Sequence, residues 1–205
     1  MSTVESSHYP LPPDAGEFKR SRAFWGMVCF IASEATLFVL LFYSYFYLGA
    51  SNIGWPTDAL PRFKFSVALT AILIVSSITL LWGQRGMKEG SKGKVQGGIM
   101  ISFVLAVAFL VVQVFEYREH LRTLKPSSGA YGSIFYTITS IHILHLTVGA
   151  VMLLWVWFLL HFRPIDTWRR ELVHNVSLYW HFVGLVWIFI FWTLYVTPHL
   201  TGGAR

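Results

Sequence analysis

Five apolar runs of about twenty residues or more, at 24–48, 64–83, 96–116, 133–161 and 175–196, set the terms on which this chain can fold. Each is long enough to cross roughly 30 Å of hydrocarbon as a helix. None shows the ten-residue polar/apolar alternation of a lipid-facing strand, and a helix satisfies its own backbone groups inside a bilayer. Charged residues make up only 13% of the chain and hydrophobic ones 55%, where a soluble domain of this size is about one-quarter charged. The sequence therefore predicts an all-α, polytopic membrane bundle of five transmembrane helices. Residues 1–23 form a Pro-containing cytoplasmic tail, 24–197 the membrane domain and 198–205 a short outer tail.

Orientation follows from the cations, because Lys and Arg are retained on the cytoplasmic side. With the N-terminus inside, the inner segments hold ten: Lys19, Arg20, Arg22, Arg85, Lys88, Lys92, Lys94, Arg163, Arg169 and Arg170. The outer side holds six: Arg62, Lys64, Arg118, Arg122, Lys125 and Arg205. This imbalance predicts N-in, C-out. The first nineteen residues carry Pro10, Pro12 and Pro13 and lack the order of a signal peptide, which makes them a retained, extended tail. A net charge of +6 reads as anchoring to anionic headgroups, since no basic segment is interleaved with aromatics as a nucleic-acid groove requires. The single Cys29 lies inside the first run, can form no intramolecular disulfide and reads as a packing residue.

The joints carry turn chemistry: 49–61 with Pro56 and Pro61, a Gly/Lys-rich stretch over 83–98, Pro126-Ser127-Ser128-Gly129, and Arg163-Pro164. Such short connections predict antiparallel neighbours in one bundle. No internal repeat is visible, which argues against a repeat-built transporter. Aromatics cluster near run ends, at Tyr43, Tyr45, Tyr47, Trp155, Trp157, Trp187 and Trp192, and read mainly as interfacial anchors and lipid contacts.

A few ionisable residues interrupt the apolar runs. Glu34 lies near the middle of the first, where a charged carboxylate costs on the order of 2.5–3.5 kcal/mol. It is either protonated or paired with a polar group on another helix; proton transfer is its functional reading and a hydrogen-bonded acid its plain one. His142 and His145 stand one turn apart on roughly one face of the fourth helix. With His181 on the fifth they invite a metal or heme reading, but a copper, iron or bis-histidine heme site wants more converging ligands. The plain alternative is hydrogen bonding between helices. Gln113 and Glu116 share a face near the end of the third helix, where headgroup solvation or pairing with Arg118 accounts for the carboxylate cheaply. No nucleophile elbow, phosphate loop or metalloprotease helix is present, so the chain carries no complete catalytic set, no cofactor site and no metal site of its own.

Four segments together bear a resemblance. They are Phe30-Ile31-Ala32-Ser33-Glu34, Gln113-Val114-Phe115-Glu116-Tyr117, His142-Ile143-Leu144-His145-Leu146-Thr147-Val148-Gly149, and Tyr179-Trp180-His181-Phe182-Val183 ending in Trp187. In this order, spread over four of the five helices, the chain resembles subunit III of the bacterial heme-copper oxidases in its five-helix form. The resemblance implies a subunit without heme or copper that packs on the catalytic subunit I. Subunit II, a small subunit IV and structural phospholipid would be further partners, in a bacterial inner membrane. Heme, copper and the reduction of oxygen coupled to proton pumping would belong to the partner subunits. This subunit would stabilise subunit I and support proton uptake and oxygen access. Glu34 would be the family's buried carboxylate, and Gln113, Glu116, His142, His145, Tyr179, Trp180, His181 and Trp187 its interhelical and lipid-facing polar core. A quinol oxidase subunit III, a nitric-oxide-reductase-associated homologue, and a stand-alone heme b or quinone-reactive protein are the alternatives. The family usually carries an aspartate where this chain has Gly184, and longer forms often carry glutamate at the position of His174.

Overall fold

A computed structural model describes residues 22–51, 55, 63–121, 124–126 and 129–198. Of the expected tails, residues 1–21 and 199–205 lie outside the described residues, as do much of the 49–61 joint and residues 127–128 of the 126–129 turn. Five α-helices follow one another: α1 Arg22–Ser51, α2 Phe63–Lys88, α3 Lys92–His120, α4 Ala130–Phe162 and α5 Thr167–Ile190. A π-helical turn, Phe191–Val196, extends α5. Among the described residues there is no strand, and all five helices are long and apolar enough to cross a membrane.

The helices outrun the apolar segments that announce them. α5 starts at Thr167, eight residues before its apolar run, because Asp166 caps it: the carboxylate accepts from the Arg169 backbone N–H at 2.8 Å. The polar turns Arg169 to His174 form the helix's first portion. The Gly/Lys-rich stretch over 83–98 is not a loop, as its composition suggests. α2 continues to Lys88 and α3 begins at Lys92, leaving a turn of three residues. Gly90 ends α2 with a φ of +68°, and the Ser91 N–H returns to the Gly86 carbonyl at 2.9 Å.

The remaining glycines of that stretch allow close approach. A Cβ on Gly98 would stand 2.6 Å from the Gly83 Cα and 2.8 Å from the Thr79 carbonyl oxygen. Small residues let membrane helices approach until backbone polar groups and hydroxyls meet. Accordingly, Ser102 donates to the carbonyl of Ser76 at 3.0 Å and its Oγ lies 3.0 Å from Thr79 Oγ1. α2 and α3 thus form a tight antiparallel pair. At their joined end Gln96 Nε2 donates to the Leu160 carbonyl at 2.9 Å and Lys92 Nζ to that of His161 at 3.4 Å, satisfying two terminal carbonyls of α4.

α4 is the central element and buries residues along its whole length, from Tyr131 to Leu160. α1 is the outlier. It buries only Phe38 and Tyr45, and leans on α4 and α5. The aromatics divide accordingly. Tyr43, Tyr47, Trp155 and Trp192 face outward, but Tyr45 and Trp187 are fully buried, so core packing displaces the interfacial role expected of them. Cys29 is exposed on α1 and does not pack in the core.

Candidate functional site

The interior holds two carboxyl groups, each anchored to another helix. Glu34 on α1 meets His145 on α4, with Oε2 and Nε2 2.7 Å apart. The opposite ring nitrogen, Nδ1, lies 2.8 Å from the Ile141 carbonyl oxygen, which can only accept. Nδ1 therefore carries a hydrogen, and the single proton between Nε2 and the carboxyl belongs to the pair, as a neutral acid with a neutral imidazole or as an ion pair. Either way the pair has no net charge, which answers the cost of Glu34 in the first span. Phe38, one turn along α1, sets its ring edge-on to His145 at 5.0 Å, and the Tyr179 hydroxyl donates to the His145 carbonyl at 3.2 Å. Neither nitrogen of His145 is left for a metal.

The second carboxyl overturns a sequence expectation. Glu116 is fully buried rather than solvated, and Arg118 points to the exposed side of α3. Ser102, Ala106, Phe109, Gln113, Glu116 and His120 recur at three- and four-residue intervals, which makes them the inward stripe of α3. Gln113 Nε2 lies 2.5 Å from Glu116 Oε2, and Tyr195 donates to Oε1 at 2.9 Å. The π-turn at the end of α5 carries Tyr195, whose ring is fully buried. Such turns cluster at functional positions because they re-aim side chains that an α-helix would rotate away.

α5 is fastened to α2 by two indoles. Trp180 Nε1 donates to Ser76 Oγ at 3.0 Å, and Trp187 Nε1 to Thr70 Oγ1 at 2.9 Å. Gly149 on α4 makes room for the first: a Cβ there would come within 2.9 Å of the Trp180 ring. His142, completely buried, sits among Phe38, Phe109 and Trp187, with ring centroids 6.4, 6.2 and 5.2 Å away. His181 stands apart from both carboxyls in a shallow groove of about 260 Å³ between α2 and α5, shared with Ser77 and Gly184. Gly184 leaves this groove open where a larger side chain would fill it. Among the described residues, no three of His, Cys, Asp and Glu gather as a metal site would require.

Known proteins are similar to this chain over most of its length. A family model described as cytochrome c oxidase subunit III matches residues 18–198, a span that holds every group just described. The chain belongs to the cytochrome c oxidase subunit III family. A cytochrome c oxidase subunit 3 from Bacillus subtilis is 30% identical over 194 residues, 92% of each chain. One from Anopheles gambiae is 33% identical over 180 residues, covering 83% of this chain and 68% of its own length. With five spanning-length helices and these relatives, the chain is a multi-pass membrane protein.

In this member of the family, the site residues expected from sequence separate into groups. Glu34 and His145 come together, with Tyr179 beside them; Gln113 and Glu116 form a second cluster; His142 and Trp187 lie in contact; Trp180 ties α5 to α2; and His181 joins none of these. Sequence reading missed Tyr195, Thr70, Ser76, Tyr117 and Thr139. Tyr117 donates to Thr139 Oγ1 at 2.6 Å, since that hydroxyl is itself committed to the Phe135 carbonyl at 2.8 Å. Hydroxyls recurring through the apolar runs were the available signal. Trp187→Phe removes the bond to Thr70 and keeps most of the ring contacts. Chemical unfolding of the assembled protein is expected to show a loss of about 0.6 kcal/mol and no more than about 1.7.

Proposed function

We propose that this chain is a subunit of a bacterial cytochrome c oxidase that carries no redox centre of its own. It packs against the catalytic subunit, stabilises it during turnover and supports proton uptake and oxygen access. The observation that carries this reading is the bond between His145 and Glu34, which commits both ring nitrogens of the best-placed histidine to holding helices together. Electron transfer and oxygen chemistry then fall to partner subunits holding heme and copper: subunit I as the main contact, with subunit II and a small subunit IV. The proton-uptake role rests on the two carboxyls, Glu34 and Glu116, held between helices of the bundle.

The N-in, C-out orientation is part of the proposal. Lys88, Lys92, Arg163, Arg169 and Arg170 stand where α2 meets α3 and α4 meets α5, the end that orientation places in the cytoplasm. The relative from Bacillus supports a bacterial plasma membrane. Structural phospholipid fits a groove of about 260 Å³ lined by Phe158, Leu159, Phe162 and Arg163, with apolar walls for an acyl chain and a guanidinium for its phosphate.

The test is isolation of the chain from its native membrane in mild detergent, followed by mass spectrometry and a reduced-minus-oxidised spectrum. The expected sample contains a large heme-copper subunit. After the chain is stripped away, heme signals stay with that subunit, initial turnover persists and activity decays within fewer turnovers. A chain that purifies alone with its own Soret band would overturn the proposal.

A further inference from the structure

Most polar side chains of the bundle core are hydrogen-bonded, but Gln113, His142 and His181 each carry a buried atom that is not, and the first two lie on neighbouring helices. Neither ring nitrogen of His142 has a hydrogen-bond partner, and neither has Gln113 Oε1, although all three atoms are buried. Leaving such atoms unpaired is costly, and native interiors satisfy them with protein groups or ordered water.

The aromatic surroundings cannot supply what is missing. A neutral imidazole has one N–H and one lone-pair nitrogen. The faces of Phe38 and Phe109 can receive the N–H weakly, but neither ring offers a donor to the lone pair. The one strong donor nearby, the Trp187 indole N–H, is already given to Thr70. Gln113 Oε1 has the same need for a donor, because the amide's other end is engaged by Glu116. The register places the two orphans on facing stretches of α3 and α4. α3 and α4 run antiparallel, with Phe109 against His142 and, eight residues on in α3 and three back in α4, Tyr117 against Thr139. Gln113 lies midway between Phe109 and Tyr117, opposite the turn from Thr139 to His142. Two buried acceptors on facing stretches of neighbouring helices each lack a donor, and a single water has two O–H groups to give.

We propose that His142 and Gln113 together bind one internal water molecule between α3 and α4. The water donates one O–H to the imidazole lone pair and the other to the Gln113 carbonyl oxygen. It extends the Glu116–Tyr195–Gln113 cluster across to α4, ending one helical turn from the Glu34–His145 pair. The buried Glu116 and the partly buried Glu34 then belong to polar networks separated by that turn and the Phe38 ring. This site is independent of which subunits surround the chain.

Two measurements on the intact native complex test it. A high-resolution density map is expected to show a peak within hydrogen-bonding distance of both His142 and Gln113 side chains. Well-resolved side chains with no such peak would overturn the proposal. The second is a double-mutant cycle read as the rate of loss of this subunit in detergent. His142→Phe is expected to speed loss several-fold in the wild type, because it strands the Gln113 oxygen. In a Gln113→Leu background, where the imidazole is the stranded group, the same change is expected to slow loss instead. Equal effects in both backgrounds, or slower loss in His142→Phe alone as an orphaned imidazole predicts, would overturn it.

Discussion

Gly98→Leu is expected to leave no assembled subunit. The Gly98 position faces backbone, not the flexible end of a side chain: Gly83 Cα, Thr79 O and Gly83 N all lie within 2.9 Å of the Cβ that any other residue would add. No rotamer relieves a contact made at Cβ, so α2 and α3 must separate. Overpacking of this kind costs about 1–3 kcal/mol in soluble cores, and more when the backbone has to move. Here the separation also breaks the Ser102 bonds to Ser76 and Thr79 one turn away. Gly98→Ala carries the same Cβ and is expected to lower the level sharply, whereas Gly97→Ala, whose Cβ meets only a Trp82 ring carbon at an ordinary 3.7 Å, is expected to be neutral. Immunoblotting of membranes and of the purified complex checks all three. Full assembly of Gly98→Leu would mean that the α2–α3 seam is not closed in the native protein.

That seam also shows where sequence reading stops. The five spans were legible because a helix in lipid must be apolar over a fixed length, a property of each segment by itself. The glycines between 83 and 98 carry two meanings, turn or close approach, and only the neighbouring helix decides between them. Glu34 was legible as a residue requiring a partner, since a carboxyl inside an apolar run needs one whatever the fold. Its partner, 111 residues away on α4, is a product of packing. The position of Glu116 near the end of an apolar run suggests solvation at the headgroups. The α3 inward stripe and the π-turn that delivers Tyr195 instead enclose it. Periodicity could have shown the stripe; nothing in Phe191 to Val196 announces a π-turn.

His145→Leu is expected to be among the most damaging single substitutions in the interior, and the damage should vanish when Glu34 is removed as well. With the imidazole gone, Glu34 keeps a carboxyl within the first span, the Phe38 ring beside it and no group to share its proton. The penalty for a charged carboxylate at a helix centre, on the order of 2.5–3.5 kcal/mol, sets the upper scale of the loss. Glu34→Leu should cost less, since a neutral imidazole still has its Nδ1 bond to the Ile141 carbonyl. In Glu34→Leu/His145→Leu both polar groups are replaced by apolar ones, a change that is often neutral for buried pairs, so the double variant should be more stable than His145→Leu alone. Glu34→Gln keeps a hydrogen-bonding amide opposite Nε2 and should assemble. Subunit retention in detergent, fitted as a double-mutant cycle, reads this coupling directly. A double variant no better than His145→Leu would show that α1 is held by its apolar contacts, with Phe38 and Tyr45, and that the proton shared by Glu34 and His145 contributes nothing to holding it.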